Sequence, residues 1–124
     1  METKGSFLGK RIRSIGYAFR GMILLLGREA SIQVQAVIAL VMTVLGFVVG
    51  LSATEWMIQC LTIGLVMGVE GMNTAVEELA DFVHPEQHPR IGFVKDVAAG
   101  AVFIAALIAV VVGGILYFPK IGLV

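Results

Sequence analysis

The chain has 124 residues, 58% of them hydrophobic and 15% charged, and its mean hydropathy is +0.95. An ordinary soluble domain carries roughly 45–50% apolar residues, and a chain this short has too little interior to hide the excess, so a water-soluble domain is excluded and lipid is the required medium. Lys plus Arg (9) balance Asp plus Glu (9), which removes the electrostatic argument for nucleic acid and leaves the placement of charge as the informative quantity.

Lys4, Lys10, Arg11, Arg13, Arg20 and Arg28 all precede the first long apolar run. Between them Phe7, Leu8, Ile12, Ile15, Tyr17, Phe19 and Met22 recur in a loosely helical pattern. This predicts an amphipathic helix over about 6–28, lying on the membrane with its apolar side down and its cations near anionic headgroups. It serves either as an anchor or as a wall of an active site. No compact apolar stretch ends in a small-residue cleavage site, so the N-terminus is expected to be kept.

A span needs about 20 apolar residues, and three segments qualify. The first is about Val34–Leu51, ending at a Ser52-Ala53-Thr54 turn; the second is about Trp56–Val76, continuing as a polar helix to about Val83; the third is about Val97–Phe118, stopped by Pro119. The fold class is therefore all-α integral membrane, a single domain over 1–124 with three spans and a surface helix. Basic residues lie before span one and, as Arg90 and Lys95, between spans two and three, while the first turn has none. The positive-inside rule then puts the N-terminus and the charged loop in the cytoplasm and the C-terminus outside, with Lys120 the exception. Trp56 and Tyr117 suit the outer interface as aromatic anchors. Cys60 has no partner, which excludes disulfides and cysteine-based metal sites.

The costly residues lie in the cytoplasmic half of span two, Glu70-Gly71-Met72-Asn73-Thr74-Ala75-Val76-Glu77-Glu78. A carboxylate in a membrane helix costs at least about 2.5–3.5 kcal/mol on insertion scales, which implies a compensating use. At about 100° per residue Glu70, Asn73, Thr74 and Glu77 share one stripe, Glu70 and Glu77 lying roughly 10 Å apart. They face one cleft, or they are polar glue between helices. Glu29, followed by Gln33 and Gln35, sits where the surface segment meets span one. With span one beside span two, Glu29 and Glu77 come to similar depth, where two carboxylates suit Mg²⁺, a hard cation completed by water and phosphates; otherwise Glu29 is a solvated interfacial charge. The connection from Asp81 to Arg90 is followed by Lys95 and Asp96. Lys95 is placed to neutralise a phosphate, and Asp96 to orient Lys95 or bind a nucleotide amine; the plain alternative is a charged loop with a helix cap. His84 and His88, interrupted by Pro85, are weak evidence for a metal. There is no P-loop and no protein-kinase signature.

The run Glu70-Gly71-Met72-Asn73-Thr74-Ala75-Val76-Glu77, then Asp81, Glu86, His88 and Lys95-Asp96-Val97-Ala98-Ala99-Gly100-Ala101-Val102, resembles the signature of the prokaryotic diacylglycerol kinase family. Glu29 and the upstream Gly16-Tyr17-Ala18-Phe19-Arg20-Gly21 fit the same pattern, and the resemblance covers about 13–121. The Asp81–Pro89 connection and the Lys95–Val102 run look more like the undecaprenol kinase branch; Gln33 and Gln35 depart from the basic residue and His often found there. The resemblance implies a homotrimer in a bacterial cytoplasmic membrane with composite sites between subunits, and an ATP- and Mg²⁺-dependent phosphorylation of a membrane lipid alcohol, undecaprenol or diacylglycerol. By residue matching it implies Glu70 as general base with Asn73 beside it, Glu29 and Glu77 as Mg²⁺ ligands, and Lys10, Tyr17, Glu86, Gln87, His88, Lys95 and Asp96 around ATP. Phosphoryl transfer needs mainly in-line positioning and charge neutralisation, which a metal, a lysine and a base provide without a P-loop. The rival class is a small ion or proton transporter or channel subunit with Glu70 as relay; a third is a structural protein that binds no nucleotide.

Overall fold

The computed structural model describes residues 6–122, and Lys4 lies outside them. Four α-helices follow in order, α1 (Phe7–Arg28), α2 (Ala30–Val49), α3 (Ala53–Val83) and α4 (Pro89–Tyr117), and a 3₁₀ turn over Pro119–Ile121 closes the described chain.

Local chemistry sets each boundary. The Ser6 hydroxyl accepts from Gly9 N–H at 3.0 Å and caps α1. Glu29, in extended conformation at φ −96°, ends α1 and begins α2 in one residue, so the two helices join with no loop. Helix α2 ends at Gly50, whose φ of 77° is the left-handed conformation that glycine adopts without Cβ strain. Helix α3 starts with a capping box: the Ser52 hydroxyl accepts from Glu55 N–H at 3.2 Å while the Glu55 carboxylate accepts from Ser52 N–H at 2.9 Å. Lys120 reaches the same carboxylate at 3.1 Å and ties the 3₁₀ turn to this corner. At the start of α4 His88 is the cap and Pro89 occupies the first turn, where its missing N–H costs nothing.

The helices run beyond the expected spans, and the first turn is displaced. Helix α2 begins at Ala30, four residues before Val34, and the turn is Gly50-Leu51-Ser52, because the capping box draws Ala53 and Thr54 into α3. Helix α4 begins at Pro89, before the expected span from Val97, so Lys95 and Asp96 lie inside a helix.

Helices α3 and α4 form the most extensive contact, α2 rests on α3, and α1 rests on α2. Leu25 of α1 also reaches α3: a Cβ at Gly71 would stand 3.1 Å from its Cδ1. At the far end Leu51, Leu116 and Tyr117 are buried together against Met42, Val49, Trp56 and Val112. Here the aromatic residues expected as interfacial anchors are turned inward. Tyr117 is buried and donates its hydroxyl to Gln59 Oε1 at 2.6 Å, with the Met42 carbonyl 3.2 Å away, and Gln59 Nε2 donates to that carbonyl at 3.0 Å. Trp56 packs on Phe47 with ring centroids 4.7 Å apart and over Gly46, where a Cβ would come within 2.7 Å of the indole.

Helix α2 and the stretch Pro89–Ile121 are long and apolar enough to cross a membrane. Their outward faces carry Val37, Leu40, Val44, Phe47, Phe103, Ile104, Leu107 and Val111, all exposed, a surface suited to lipid rather than water. At 31 residues α3 has the length, but Gln59, Glu70 and Asn73 dilute its apolar character.

Candidate functional site

The polar stripe of α3 is where charge and burial coincide. Glu70 is 8% exposed and Asn73 9%, and Glu70 is turned toward α2. A buried carboxylate needs hydrogen-bond donors, and Glu70 has two: Gln35 Nε2 of α2 donates to Oε1 at 3.2 Å and Asn73 Nδ2 donates to Oε2 at 3.4 Å. The other ends of the same amides, Gln35 Oε1 and Asn73 Oδ1, are buried and accept from no donor among the described residues. The site is thus one carboxylate flanked by two unsatisfied acceptors, an arrangement that calls for a donor from outside the chain.

Gln35 is the residue that sequence reasoning undervalues. In the sequence it stands out only as a departure at a position after Glu29, whereas the structure makes it the cross-helix partner of Glu70. A glutamine set further into an apolar helix than Gln33, at the end nearest Glu70, is the signal that could have found it. Gln33 acts elsewhere: its Nε2 donates to the Leu26 carbonyl at 3.1 Å and satisfies the end of α1.

Glu29 is half-buried at the α1–α2 junction, and Glu77 is exposed on α3 one turn beyond Asn73. Among the described residues neither carboxylate has a hydrogen bond or ion pair, and no group of three His, Cys, Asp or Glu side chains is placed to hold a metal. Each carboxylate fits Mg²⁺ in donor chemistry, as a hard anionic oxygen whose companion ligands would include water and phosphate.

Lys95 pairs with Asp81, across from α4 to α3, so of the two roles expected for Asp96, orienting Lys95 or binding a nucleotide amine, the first is taken by Asp81. The cause is the early start of α4: two turns of helix before Lys95 bring it opposite the end of α3, whereas Asp96 lies one residue on and is exposed. Asp81 is therefore the group that positions Lys95. In the connection, His84 Nδ1 lies 2.9 Å from the Glu86 carbonyl oxygen, and His88 Nδ1 accepts from Arg90 N–H at 3.1 Å. The His88 ring is thus a helix cap with only Nε2 left for a ligand. Glu86 and Gln87 are exposed beside it, and Lys10 and Tyr17 are exposed on α1.

An apolar groove of about 460 Å³ runs between α2, α3 and α4 from Gln35 to Gln59 and Leu116, walled by Ile38, Met42, Ile63, Val66, Ala109 and Gly113. Because Gln35 lines it, the groove begins beside Glu70.

Residues 16–117 match the family model of prokaryotic diacylglycerol kinase. The chain is 36% identical to the undecaprenol kinase of Bacillus subtilis (strain 168) over 92% of its own length and 93% of that protein. It is 32% identical to the diacylglycerol kinase of Haemophilus influenzae over 86% of this chain and 92% of that one, and 30% identical to that of Escherichia coli (strain K12) over 90% and 91%. These relatives are named as kinases, and the transporter reading finds no support among them.

Proposed function

The chain belongs to the prokaryotic diacylglycerol kinase family and is a lipid kinase; from that premise we propose that it transfers the γ-phosphoryl group of ATP, with Mg²⁺, to the hydroxyl of a membrane lipid alcohol, undecaprenol or diacylglycerol. The observation that carries this reading is the buried Glu70 carboxylate, held by two amides at the mouth of an apolar groove.

In the proposed step the lipid hydroxyl gives its proton to Glu70 as its oxygen bonds to the γ-phosphorus. The bond from that phosphorus to the bridging oxygen breaks, ADP leaves with the electron pair, and Glu70 returns the proton to water. Gln35 and Asn73 fix the orientation of the carboxylate. Mg²⁺, when bound, neutralises phosphate charge, and Glu29 and Glu77 are the residues that would hold it. Lys95, positioned by Asp81, pairs with phosphate; Asp96, Lys10, Tyr17, Glu86, Gln87 and His88 contact the nucleotide.

In this reading residues 1–124 form one kinase domain in a bacterial cytoplasmic membrane. Helices α2, α3 and α4 cross it, α1 lies on the cytoplasmic face with the N-terminus, and the subunits form a homotrimer. A seam on α3 supports the self-association: Leu61, Leu65, Gly68, Met72, Ala75, Leu79 and Phe82 follow alternating steps of four and three residues, the spacing of a left-handed helical bundle. Leu61, Met72, Leu79 and Phe82 are 74%, 67%, 63% and 87% exposed. At 100° per residue the seam lies opposite the Gln59, Glu70 and Asn73 stripe, so a neighbour on it leaves the groove open.

The test is a side-by-side assay of purified protein with undecaprenol and diacylglycerol in mixed micelles containing Mg²⁺ and γ-labelled ATP. Label in one or both extracted lipids is expected. Label in neither sinks the proposal.

A further inference from the structure

The groove has two different ends. At one, Gln35 presents a buried, unpaired acceptor next to Glu70. At the other, Gln59, Met42 and Leu116 close it, and there the polar groups satisfy one another: Tyr117 donates to Gln59 Oε1, and Gln59 Nε2 donates to the Met42 carbonyl. Between the ends the walls are apolar except for Thr62, whose hydroxyl donates to the Ile58 carbonyl, and α4 contributes the small residues Ala106, Ala109 and Gly113. From Gln35 to Met42 on α2, and from Ala106 to Leu116 on α4, a rise of about 1.5 Å per residue gives a length of roughly 10–15 Å.

We propose that this groove is a slot for one hydrocarbon chain of the lipid acceptor, entered hydroxyl end up at Gln35 and stopped at its far end by the Gln59–Tyr117 clasp. The inference rests on the lipid-alcohol reading and adds the site that grips the tail. The chemistry at each end assigns the direction. The hydroxyl belongs at the end where Glu70, held by Gln35, is there to accept its proton, whereas the clasp pairs its own polar groups and tolerates a chain end. A chain longer than the slot leaves it sideways into the bilayer, so the slot reads the hydroxyl-proximal part. Burial in the slot gains little over lipid, because the chain starts in hydrocarbon. Discrimination is therefore steric, set by the room that Ala109 and Gly113 leave.

Gly113 gives the means of testing it: a Cβ there meets nothing within 4 Å, so Gly113→Leu puts a side chain in the groove without a backbone clash. Ala109→Leu, one turn higher, is the second variant. Two pairs of acceptors are assayed, dibutyrylglycerol with dioleoylglycerol and a one-isoprene prenol with undecaprenol. In the pair that the wild type labels, Gly113→Leu is expected to raise KM for the long-chain member by roughly five- to a hundredfold, the range that overpacking costs. The short-chain member and the KM for ATP stay within about twofold, and Ala109→Leu gives the same pattern reaching to shorter chains. Equal loss on both members, or unchanged KM on both in the two variants, overturns the slot while wild-type labelling upholds the kinase reading. A changed oligomeric state in micelles with unaltered chain preference also overturns it, since a neighbouring copy's helix then fills the groove. Wild-type protein that labels no acceptor overturns the lipid-alcohol reading and the slot with it.

Discussion

Glu70 owes its position to two amides, and an amide can also imitate it. Glu70→Gln keeps the shape and the hydrogen-bonding reach of the side chain but cannot take a proton, so it is expected to lower kcat by at least about 10²–10⁴. Membrane insertion should be unchanged or eased, because a buried charge is removed. Kinase assay together with the yield of membrane-inserted protein checks this, and wild-type turnover in the variant eliminates Glu70 as base. In the proposed Mg²⁺ site the carboxylates Glu29 and Glu77 have the opposite logic, since their worth there lies in charge. Glu29→Gln and Glu77→Gln are each expected to raise the Mg²⁺ concentration for half-maximal activity, because a hard cation loses an anionic oxygen. A Mg²⁺ titration that is the same in both variants and the wild type removes the metal site. The stripe is legible in the sequence because Glu70, Asn73 and Glu77 lie on one helix at helical spacing. The roles of Gln35 and Asp81 are not, since each acts on a residue of another helix and periodicity within one helix carries no cross-helix register.

At the scale of elements, helix types can be read from hydropathy, but helix ends follow capping chemistry. The Ser52 and Glu55 box moves the α2–α3 turn, and the His88-Pro89 start lengthens α4, both against boundaries placed by apolar runs alone. The far-end clasp escapes the sequence for a related reason: Gln59 and Tyr117 are 58 residues apart, and Tyr117 at the end of an apolar run reads equally well as an interfacial anchor. The capping corner has a pH signature. The Ser52 backbone N–H, and after it Lys120, hold the Glu55 carboxyl below its ordinary value of 4.5. A carboxyl depressed in the folded state contributes stability above about 4.5, its unfolded value, and loses that contribution as the pH falls through the lower folded value. Glu55→Gln is therefore expected to lower Tm in micelles at neutral pH and to flatten the fall in Tm below about pH 4.5. An acid limb of unchanged steepness in the variant would show that Glu55 does not report on folding.

At the scale of the whole molecule, a single chain offers Glu70 within its bundle but leaves Glu29, Glu77 and the residues proposed to contact the nucleotide, Lys10, Tyr17, Glu86 and Gln87, with exposed or half-exposed side chains. Such a chain supplies few walls for a nucleotide, while its α3 seam invites neighbours on the side away from the groove. A site completed by a neighbour would take its base from one subunit and its phosphate-binding lysine from another. Two differently inactive proteins, Glu70→Gln and Lys95→Ala, are then expected to regain activity when mixed under conditions that exchange subunits, because some interfaces receive an intact Glu70 from one chain and an intact Lys95 from the other. With random mixing of equal amounts about a quarter of interfaces pair the two intact residues, by the arithmetic of independent choice within a closed ring, so recovery approaching that fraction of wild-type activity is the expected ceiling. Subunit exchange is verified by co-purification through a tag on one parent, and Leu65→Lys, which puts a charge into the seam, should abolish both the exchange product and the rescue. Verified mixed assemblies with no activity above either parent would show instead that Glu70 and Lys95 act within one chain, with the Lys95–Asp81 pair turned toward its own α3 stripe.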